Sequence, residues 1–167
     1  MRDPALQEAS LVLENFLPYR LAVLAHKTSR ALSVVYSERF GLSIPEWRVL
    51  ANLGHAGPLY AGELADRSSM DKPKVTRALQ RLEAASIVQR AIDAEDRRQV
   101  RLALTRRGRA MFREIATLAL DWERQLLSPL SEAERRTLDR ILTKLMRRGE
   151  DRSRSENARA ARHAEAS

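Results

Sequence analysis

The segment from 96 to 108, DRRQVRLALTRRG, places charged side chains directly before an apolar pattern of period two. Asp96 and Arg98 are two positions apart, so on an extended chain they share a face, where a carboxylate can hold a guanidinium by paired hydrogen bonds. An arginine held in this way suits a narrow minor groove, where A·T-rich DNA concentrates negative potential. Arg97 and Arg90 are expected to contact phosphates beside it. The alternative is an ordinary surface ion pair, which stabilises little.

A second group of basic side chains lies in a predicted helix from Asp71 to Ala85. Six polar side chains fall away from its apolar stripe: Lys72, Lys74, Thr76, Arg77, Gln80 and Arg81. Lys74 and Arg77 are predicted to contact base edges, because the N-terminal part of such a helix enters the major groove and Arg can bind guanine O6 and N7. Thr76 is expected to touch a thymine methyl group or a phosphate.

Phosphate contacts are expected on both sides of these base contacts. Arg81 lies one turn further along the predicted helix, and Lys72 lies at its start. Ser68 and Ser69 precede the helix, and their hydroxyl groups are natural phosphate donors. The alternative for each residue of this set is a solvated helix face.

The elements that must position these groups can be predicted from periodicity and turn signals. Residues 100–104 alternate as in a half-buried strand, residues 87–92 form a second strand, and the charged tip from 93 to 98 joins them as a wing. A short helix over 61–67 and the helix beginning at Asp71, joined by the turn Ser68-Ser69-Met70, make a helix-turn-helix.

Further helices are predicted on both sides of this unit. One runs from Pro18 to Phe40 and ends at Gly41, and another begins at the capping box Ser43-Glu46 and runs to about Leu53. Thr105 caps a long helix that Pro129 ends, and a second capping box, Ser131-Glu134, opens the last helix. The long helix carries an apolar seam of Phe112, Ile115, Ala119, Trp122 and Leu126, and the last helix carries Leu138, Ile141, Leu142 and Leu145.

Composition restricts the class of function. The 167 residues carry a net charge of +8, and residues 71–109 hold eleven Lys and Arg against five Asp and Glu, so six of the eight net charges fall there. Such a concentration favours a polyanionic partner. The chain has no Cys, its three His are far apart, and no Gly-rich phosphate loop occurs, so we expect no enzyme, no metal and no cofactor. No apolar run reaches roughly 18 residues and no signal peptide is visible, which predicts a cytoplasmic protein and no membrane partner.

The order of these elements over roughly residues 15–146 resembles the MarR (multiple-antibiotic-resistance regulator) family of bacterial transcription factors. The resemblance is carried by residues 45–50 (PEWRVL), 62–67 (GELADR), 70–72 (MDK) and 75–77 (VTR). Its most specific motif is Asp-x-Arg-x5-Leu-Thr-x2-Gly, formed here by Asp96, Arg98, Leu104, Thr105 and Gly108. One position departs from the family: Ser86 stands where a turn glycine is usual.

The resemblance implies a mainly α fold with a small β-wing, in four parts. These are an N-terminal dimerisation helix (1–40), a winged helix-turn-helix domain (41–105), C-terminal dimerisation helices (106–147) and a flexible basic tail (148–167). A homodimer on double-stranded DNA is expected, because one helix-turn-helix covers few base pairs and paired half-sites match a pseudo-palindromic operator.

The resemblance also implies an effector that releases the DNA, namely a small aromatic carboxylate or a thioester of one. Five residues are candidates for binding it: Tyr19, Arg20, His26, Trp47 and Arg48. In this prediction Tyr19 and Trp47 supply aromatic walls and Arg20 supplies the counter-ion. The alternative is that these side chains are ordinary core or surface residues.

Two other functions compete with a sequence-specific repressor. A sequence-independent architectural protein would bind random and palindromic DNA equally. A helical adaptor would use the long apolar seams for protein partners and would not bind DNA at moderate salt.

Overall fold

The computed structural model describes residues 11–92 and 100–165 and is mainly helical. Among these residues, a 3-10 turn, Leu13–Asn15, precedes six helices and two strands. The helices are α1 (Leu17–Phe40), α2 (Ile44–Ala56), α3 (Ala61–Ser68), α4 (Lys72–Ala84), α5 (Arg106–Leu126) and α6 (Glu132–Glu165), and the strands are β1 (Val88–Ile92) and β2 (Val100–Leu104). The predicted fold class, helices with a small wing, is confirmed.

The chain forms two compact units, Met1–Trp122 and Glu123–Ser167. The first unit contains a core to which helices α1 to α5 and the wing contribute, and its most deeply buried side chains include Leu50, Leu64, Leu82 and Ile115. Tyr36 joins α1 to this core, because its ring stacks on that of Trp47 with 5.3 Å between the centroids. Burial of Tyr36 raises its pKa to about 12, against the opposing effect of the Arg48 charge.

The two strands of the wing pair antiparallel, with Val88 opposite Leu104 and Ile92 opposite Val100. Leu59, between α2 and α3, adds a third short pairing: its N–H donates to the Leu102 carbonyl at 3.0 Å and its carbonyl accepts from the Leu102 N–H at 2.8 Å. No sequence pattern indicates this pairing, which attaches the wing to the start of the helix-turn-helix.

The predicted helix boundaries are largely confirmed because local hydrogen bonds set them. The Ser43 N–H donates to Glu46 Oε2 at 2.7 Å at the start of α2, and the Ser131 N–H donates to Glu134 Oε2 at 2.8 Å before α6. At the start of α5, the Gly108 N–H donates to Thr105 Oγ1 at 3.0 Å. A Cβ at Gly108 would lie 2.2 Å from the Ile87 carbonyl oxygen, so the motif needs glycine there.

One boundary differs from the prediction. Gly54 was expected to end the second helix, but α2 continues to Ala56 and the Phe112 ring packs where a Gly54 side chain would stand. The segment 148–167, expected to be a flexible or frayed helical tail, is helical as part of α6 through Glu165, and its flexibility stays a prediction. Its Ala, Arg and Glu residues are strong helix formers, which is sufficient to extend the helix without an apolar stripe.

Apolar side chains remain exposed in both units. In the first unit they include Leu17, Leu21, Leu24 and Val34 of α1, and in the second unit Leu138, Ile141, Leu142 and Leu145 of α6. Within the described part of the chain, no helix is both long and apolar enough to cross a membrane.

Candidate nucleic-acid interface

The helix-turn-helix consists of α3, a tight turn and α4. Ser69 turns the chain in the left-handed conformation with φ +51°, and the Met70 N–H donates to the Ala65 carbonyl at 3.3 Å. Asp71 then caps α4, since its Oδ1 accepts from the Lys74 N–H at 2.8 Å. Leu64 of α3 and Val75 of α4 are both buried, so these local bonds hold the two helices against one core.

Helix α4 has one buried face and one exposed face, as the spacing of its apolar residues predicts. The buried stripe consists of Val75, Ala78, Leu79 and Leu82. The predicted DNA-contacting residues Lys72, Lys74, Thr76, Arg77 and Arg81 are all exposed. Within residues 11–92 and 100–165, Lys72 and Arg77 form no ion pair, so their cationic groups are available to a ligand.

Lys74 is held by the residue that caps its own helix. Its Nζ lies 2.9 Å from Asp71 Oδ2, while its N–H donates to the other oxygen. These hydrogen bonds, together with the positive charges of Lys74 and Arg77, lower the pKa of the Asp71 carboxyl below its usual value. Lys74 therefore starts from a defined position at the N-terminus of α4.

The two serines before α4 have different environments. Ser69 is exposed and remains a candidate phosphate donor. Ser68 corrects the prediction: it is buried, and its hydroxyl donates to the Ala65 carbonyl at 3.2 Å, so it is not available to a phosphate. The Thr76 hydroxyl donates to the Lys72 carbonyl at 2.9 Å, and Thr76 as a whole is exposed, so its methyl group stays a candidate for an apolar contact.

Arg81 and Arg90 are each paired with a carboxylate that the sequence analysis did not assign to the site. Arg81 Nη1 lies 3.5 Å from Oε1 of the buried Glu46. Arg90 Nε donates to Glu83 Oε1 at 2.6 Å, which ties strand β1 to the last turn of α4. No sequence pattern indicates either pairing, because each pair joins residues of two different elements.

Of the other residues expected at the wing, three lie in the segment 93–99, outside the described residues: Asp96, Arg97 and Arg98. Arg101 was not predicted. Its Nε donates to the Tyr60 hydroxyl at 3.3 Å, and its guanidinium lies 4.9 Å from the centre of the Tyr60 ring. It therefore attaches β2 to the start of α3.

In the clefts that the described residues form, the five residues predicted to bind an effector do not come together. His26 and Arg48 line a cleft of about 370 Å³ between α1, α2 and the turn before α4, and Lys74 lines the same cleft. Tyr19 and Arg20 line a separate cleft along α1. Trp47 lines neither of these clefts, since its ring stacks on Tyr36. Across the residues that the structure covers, no group of His, Cys, Asp and Glu is arranged to hold a metal ion.

Comparison with known proteins places this architecture among transcriptional regulators. The MarR family model matches residues 42–100. The chain is 31% identical over 132 residues to the HTH-type transcriptional repressor Rv2887 of Mycobacterium tuberculosis, covering 78% of this chain and 91% of the relative. It is 34% identical over 116 residues to the HTH-type transcriptional regulator PecS of Dickeya dadantii, covering 68% and 69% of the two chains.

Solved structures agree with the sequence relatives. A MarR/EmrR family transcriptional regulator from Acinetobacter sp. ADP1 matches with a TM-score of 0.77 and 26% identity over 84% of this chain and 99% of that one. Apo MarR from E. coli matches with a TM-score of 0.67 and 27% identity over 78% and 96% of the two chains.

Proposed function

Because the chain belongs to the MarR family of DNA-binding transcriptional regulators, we propose that it is a repressor that binds a pseudo-palindromic operator as a homodimer. The observation that carries the proposal is the exposed basic face of α4, which the buried stripe on its opposite side aims away from the core. The relative Rv2887 is itself named a transcriptional repressor, which supports the same direction of control. A regulator of this kind acts in the cytoplasm, where the bacterial chromosome is accessible.

The proposed DNA contacts are of two kinds, contacts to bases in the grooves and contacts to the phosphate backbone. Lys74, Thr76 and Arg77 contact base edges in the major groove, while Lys72, Ser69 and Arg81 contact phosphates. Arg98, held by Asp96, enters the minor groove, and Arg90 and Arg97 support the wing on the backbone. Arg90 also connects β1 to α4, because its Nε donates to Glu83 Oε1 at 2.6 Å.

The experiment that tests this function is an electrophoretic mobility shift with the DNA upstream of the gene that encodes this chain, measured beside random DNA of equal length. We expect tighter binding to the upstream DNA, and a logarithm of affinity that falls linearly with the logarithm of salt concentration. Equal affinity for both DNAs would instead indicate an architectural protein. No binding at moderate salt would indicate a helical adaptor.

A homodimer accounts for the apolar side chains that each unit leaves exposed. Residues 1–40 and 106–147 are proposed as its dimerisation segments, and 41–105 as the DNA-binding domain. The first part of α5 also belongs to the core, since Ile115 is fully buried within the first unit. Large apolar side chains repeated along α1 and along α6 are costly to leave in water, which favours their burial against a second copy.

The cleft that His26, Arg48 and Lys74 line supports an anionic aromatic effector. Arg48 and Lys74 offer positive charge for a carboxylate, and Ile44, Pro45 and Met70 offer an apolar lining. A carboxylate bound to Lys74 would withdraw that side chain from a base edge. An effector in this cleft therefore binds the DNA-free state better, which is the condition for release.

The effector site is tested by screening benzoic and phenolic acids and their thioesters for a rise in melting temperature, then titrating each hit into the protein–DNA complex. We expect Arg48→Ala to abolish both effects and Arg20→Ala to leave them unchanged. The opposite pattern would place the ligand in the cleft beside Tyr19 and Arg20. A hit that stabilises the protein but leaves DNA affinity unchanged would show that ligand and DNA are not coupled.

A further inference from the structure

Glu46 has a combination of three properties that no other capping carboxylate in the described residues has. It occupies the third position of α2, where its Oε2 accepts from the Ser43 N–H at 2.7 Å. Its side chain is only 8% exposed, whereas that of Arg81 is 76% exposed. Its other oxygen, Oε1, lies 3.5 Å from Arg81 Nη1, across the boundary between α2 and α4.

The capping role alone does not require the negative charge of Glu46. Glutamine serves at the same position of a capping box, because an amide oxygen accepts the same backbone hydrogen bond. Glu63 and Glu134 occupy the corresponding positions of α3 and α6, and there the carboxylates are exposed and form no ion pair with any described residue. A carboxylate that is buried and charged is costly unless a cation compensates it, and Arg81 is the cation that Glu46 faces.

Arg81 keeps most of its hydrogen-bonding capacity in this pair. A guanidinium has five N–H donors, and the contact with Glu46 is made through one nitrogen. The remaining donors are free to meet a phosphate while Glu46 holds the side chain. Because a long side chain loses rotamer freedom when it binds, holding it beforehand removes part of that cost.

We propose that Glu46 is a positioning residue for DNA binding, which uses the cap of α2 to hold Arg81 of α4 toward the phosphate backbone. Glu46 itself does not touch DNA. The proposal rests on the proposed function, in which Arg81 contacts a phosphate, and the experiment is designed to separate the two.

The test compares Glu46→Gln, Arg81→Gln and the double variant, with Glu63→Gln as the matched control. Glu63→Gln removes the same charge from the same kind of capping position, so it reports any long-range effect on DNA affinity. Binding is measured by fluorescence anisotropy on a duplex from the DNA upstream of the encoding gene, over a series of salt concentrations. Melting temperatures of all variants show whether the cap of α2 survives.

We expect Glu46→Gln to weaken binding by roughly three- to tenfold, the range for ordering one long side chain. Arg81→Gln should weaken binding and reduce the salt slope by roughly one for each protomer of the proposed homodimer. In the double variant the Glu46 substitution should cause no further loss, because Arg81 is no longer present to be positioned. Glu63→Gln should bind as the unsubstituted protein does.

Four outcomes would overturn the proposal, and they identify different errors. If Arg81→Gln leaves affinity and salt slope unchanged, Arg81 does not contact a phosphate and the proposed DNA contact is wrong. If only Arg81→Gln weakens binding, the contact is right but Glu46 does not position it. Tighter binding by Glu46→Gln would show that Glu46 holds Arg81 away from DNA. Equal losses from Glu46→Gln in the presence and absence of Arg81 would assign its effect to the fold alone, whatever the melting temperatures.

Discussion

Arg77 and Arg81 lie about one turn apart on the exposed face of α4, but their surroundings differ. Arg77 has no ion-pair partner among the described residues, whereas Arg81 faces Glu46. We predict that Arg77→Ala costs about 1–3 kcal/mol of binding free energy and relaxes the preference at one base pair per half-site. Arg81→Ala should weaken binding to all sequences evenly. Affinities for a set of single-base operator variants measure this difference, and identical profiles for the two variants would show that the groove contacts are misassigned.

Asp71 makes a pH-dependent contribution to folding. Its pKa is lowered in the folded protein by hydrogen bonds from Lys74, so the charged form stabilises the fold. This contribution is complete above the ordinary carboxyl pKa of 3.8 and is lost as the pH falls below it, through the lower folded value. Asn caps a helix about as well as Asp, so Asp71→Asn removes the charge and retains the cap.

We therefore predict that Asp71→Asn lowers the free energy of unfolding near neutral pH and that its difference from the unsubstituted protein shrinks in acid. Urea unfolding followed by circular dichroism from about pH 6 to about pH 3 measures it. Glu134, whose pKa is also lowered, titrates in both proteins and cancels from the comparison. A difference that does not change with pH would mean that the Asp71 charge does not stabilise the fold.

Residue positions could be predicted from the sequence where one helix determines them, as for the exposed face of α4. The residues with which these side chains form ion pairs could not be predicted. Glu46 and Arg81 are 35 positions apart in the chain, and no local pattern pairs them. Ser68 looked like a phosphate donor because its hydroxyl group lies just before the predicted helix, but packing of α3 against the core buries it. The charge of the candidate site and the helix that carries it could thus be predicted. Which of its side chains are paired with residues from other parts of the fold could not.

At the scale of elements, the junction between α4 and the wing contains a strained residue. Ser86 has φ +57°, a left-handed conformation in which a side chain is disfavoured. We predict that Ser86→Gly raises the free energy of unfolding by about 0.5–1 kcal/mol, because relief of the strain exceeds the entropy that glycine adds to the unfolded chain. Its N–H and carbonyl bonds to Glu83 and Thr105 use backbone atoms at position 86, so glycine keeps them.

Urea denaturation of the two proteins checks this prediction. Ser69 has the similar φ of +51°, and Ser69→Gly is the matched variant within the helix-turn-helix. Both substitutions should stabilise, since the same strain is relieved at each position. Destabilisation by Ser86→Gly would show that the junction tolerates serine without strain.

The boundaries of elements were predictable because caps, periodicity and prolines act within a few residues. The capping boxes at Ser43 and Ser131 and the strand over 100–104 are of this kind. At Gly54 and Leu59, by contrast, the local sequence pattern did not predict the structure. Gly54 looked like a helix end but provides space for the ring of Phe112, and Leu59 pairs with Leu102 across more than 40 positions. Contacts between distant segments decide both.

At the scale of the whole molecule, α5 carries apolar side chains whose burial changes along its length. Ile115 is fully buried, Trp122 is half-buried and Leu126 is 46% exposed. The seam was predicted from its spacing of three and four residues, but the spacing did not show where the chain's own core ends. The side chains beyond Ile115 have apolar surface to bury, and in the proposed homodimer a second copy supplies a matching surface by two-fold symmetry.

We predict that Trp122→Asp and Leu126→Asp each dissociate the dimer and abolish operator binding together. An unpaired carboxylate in an apolar seam is costly, and a monomer can occupy only one half-site. Sedimentation velocity at micromolar concentration measures the assembly, and anisotropy on the same samples measures DNA binding. Deletion of residues 150–167 is the control and should leave the dimer intact, because this segment has no apolar stripe. A monomeric unsubstituted protein, or an Asp variant that dissociates yet binds the full operator with unchanged affinity, would contradict the coupling of assembly to recognition.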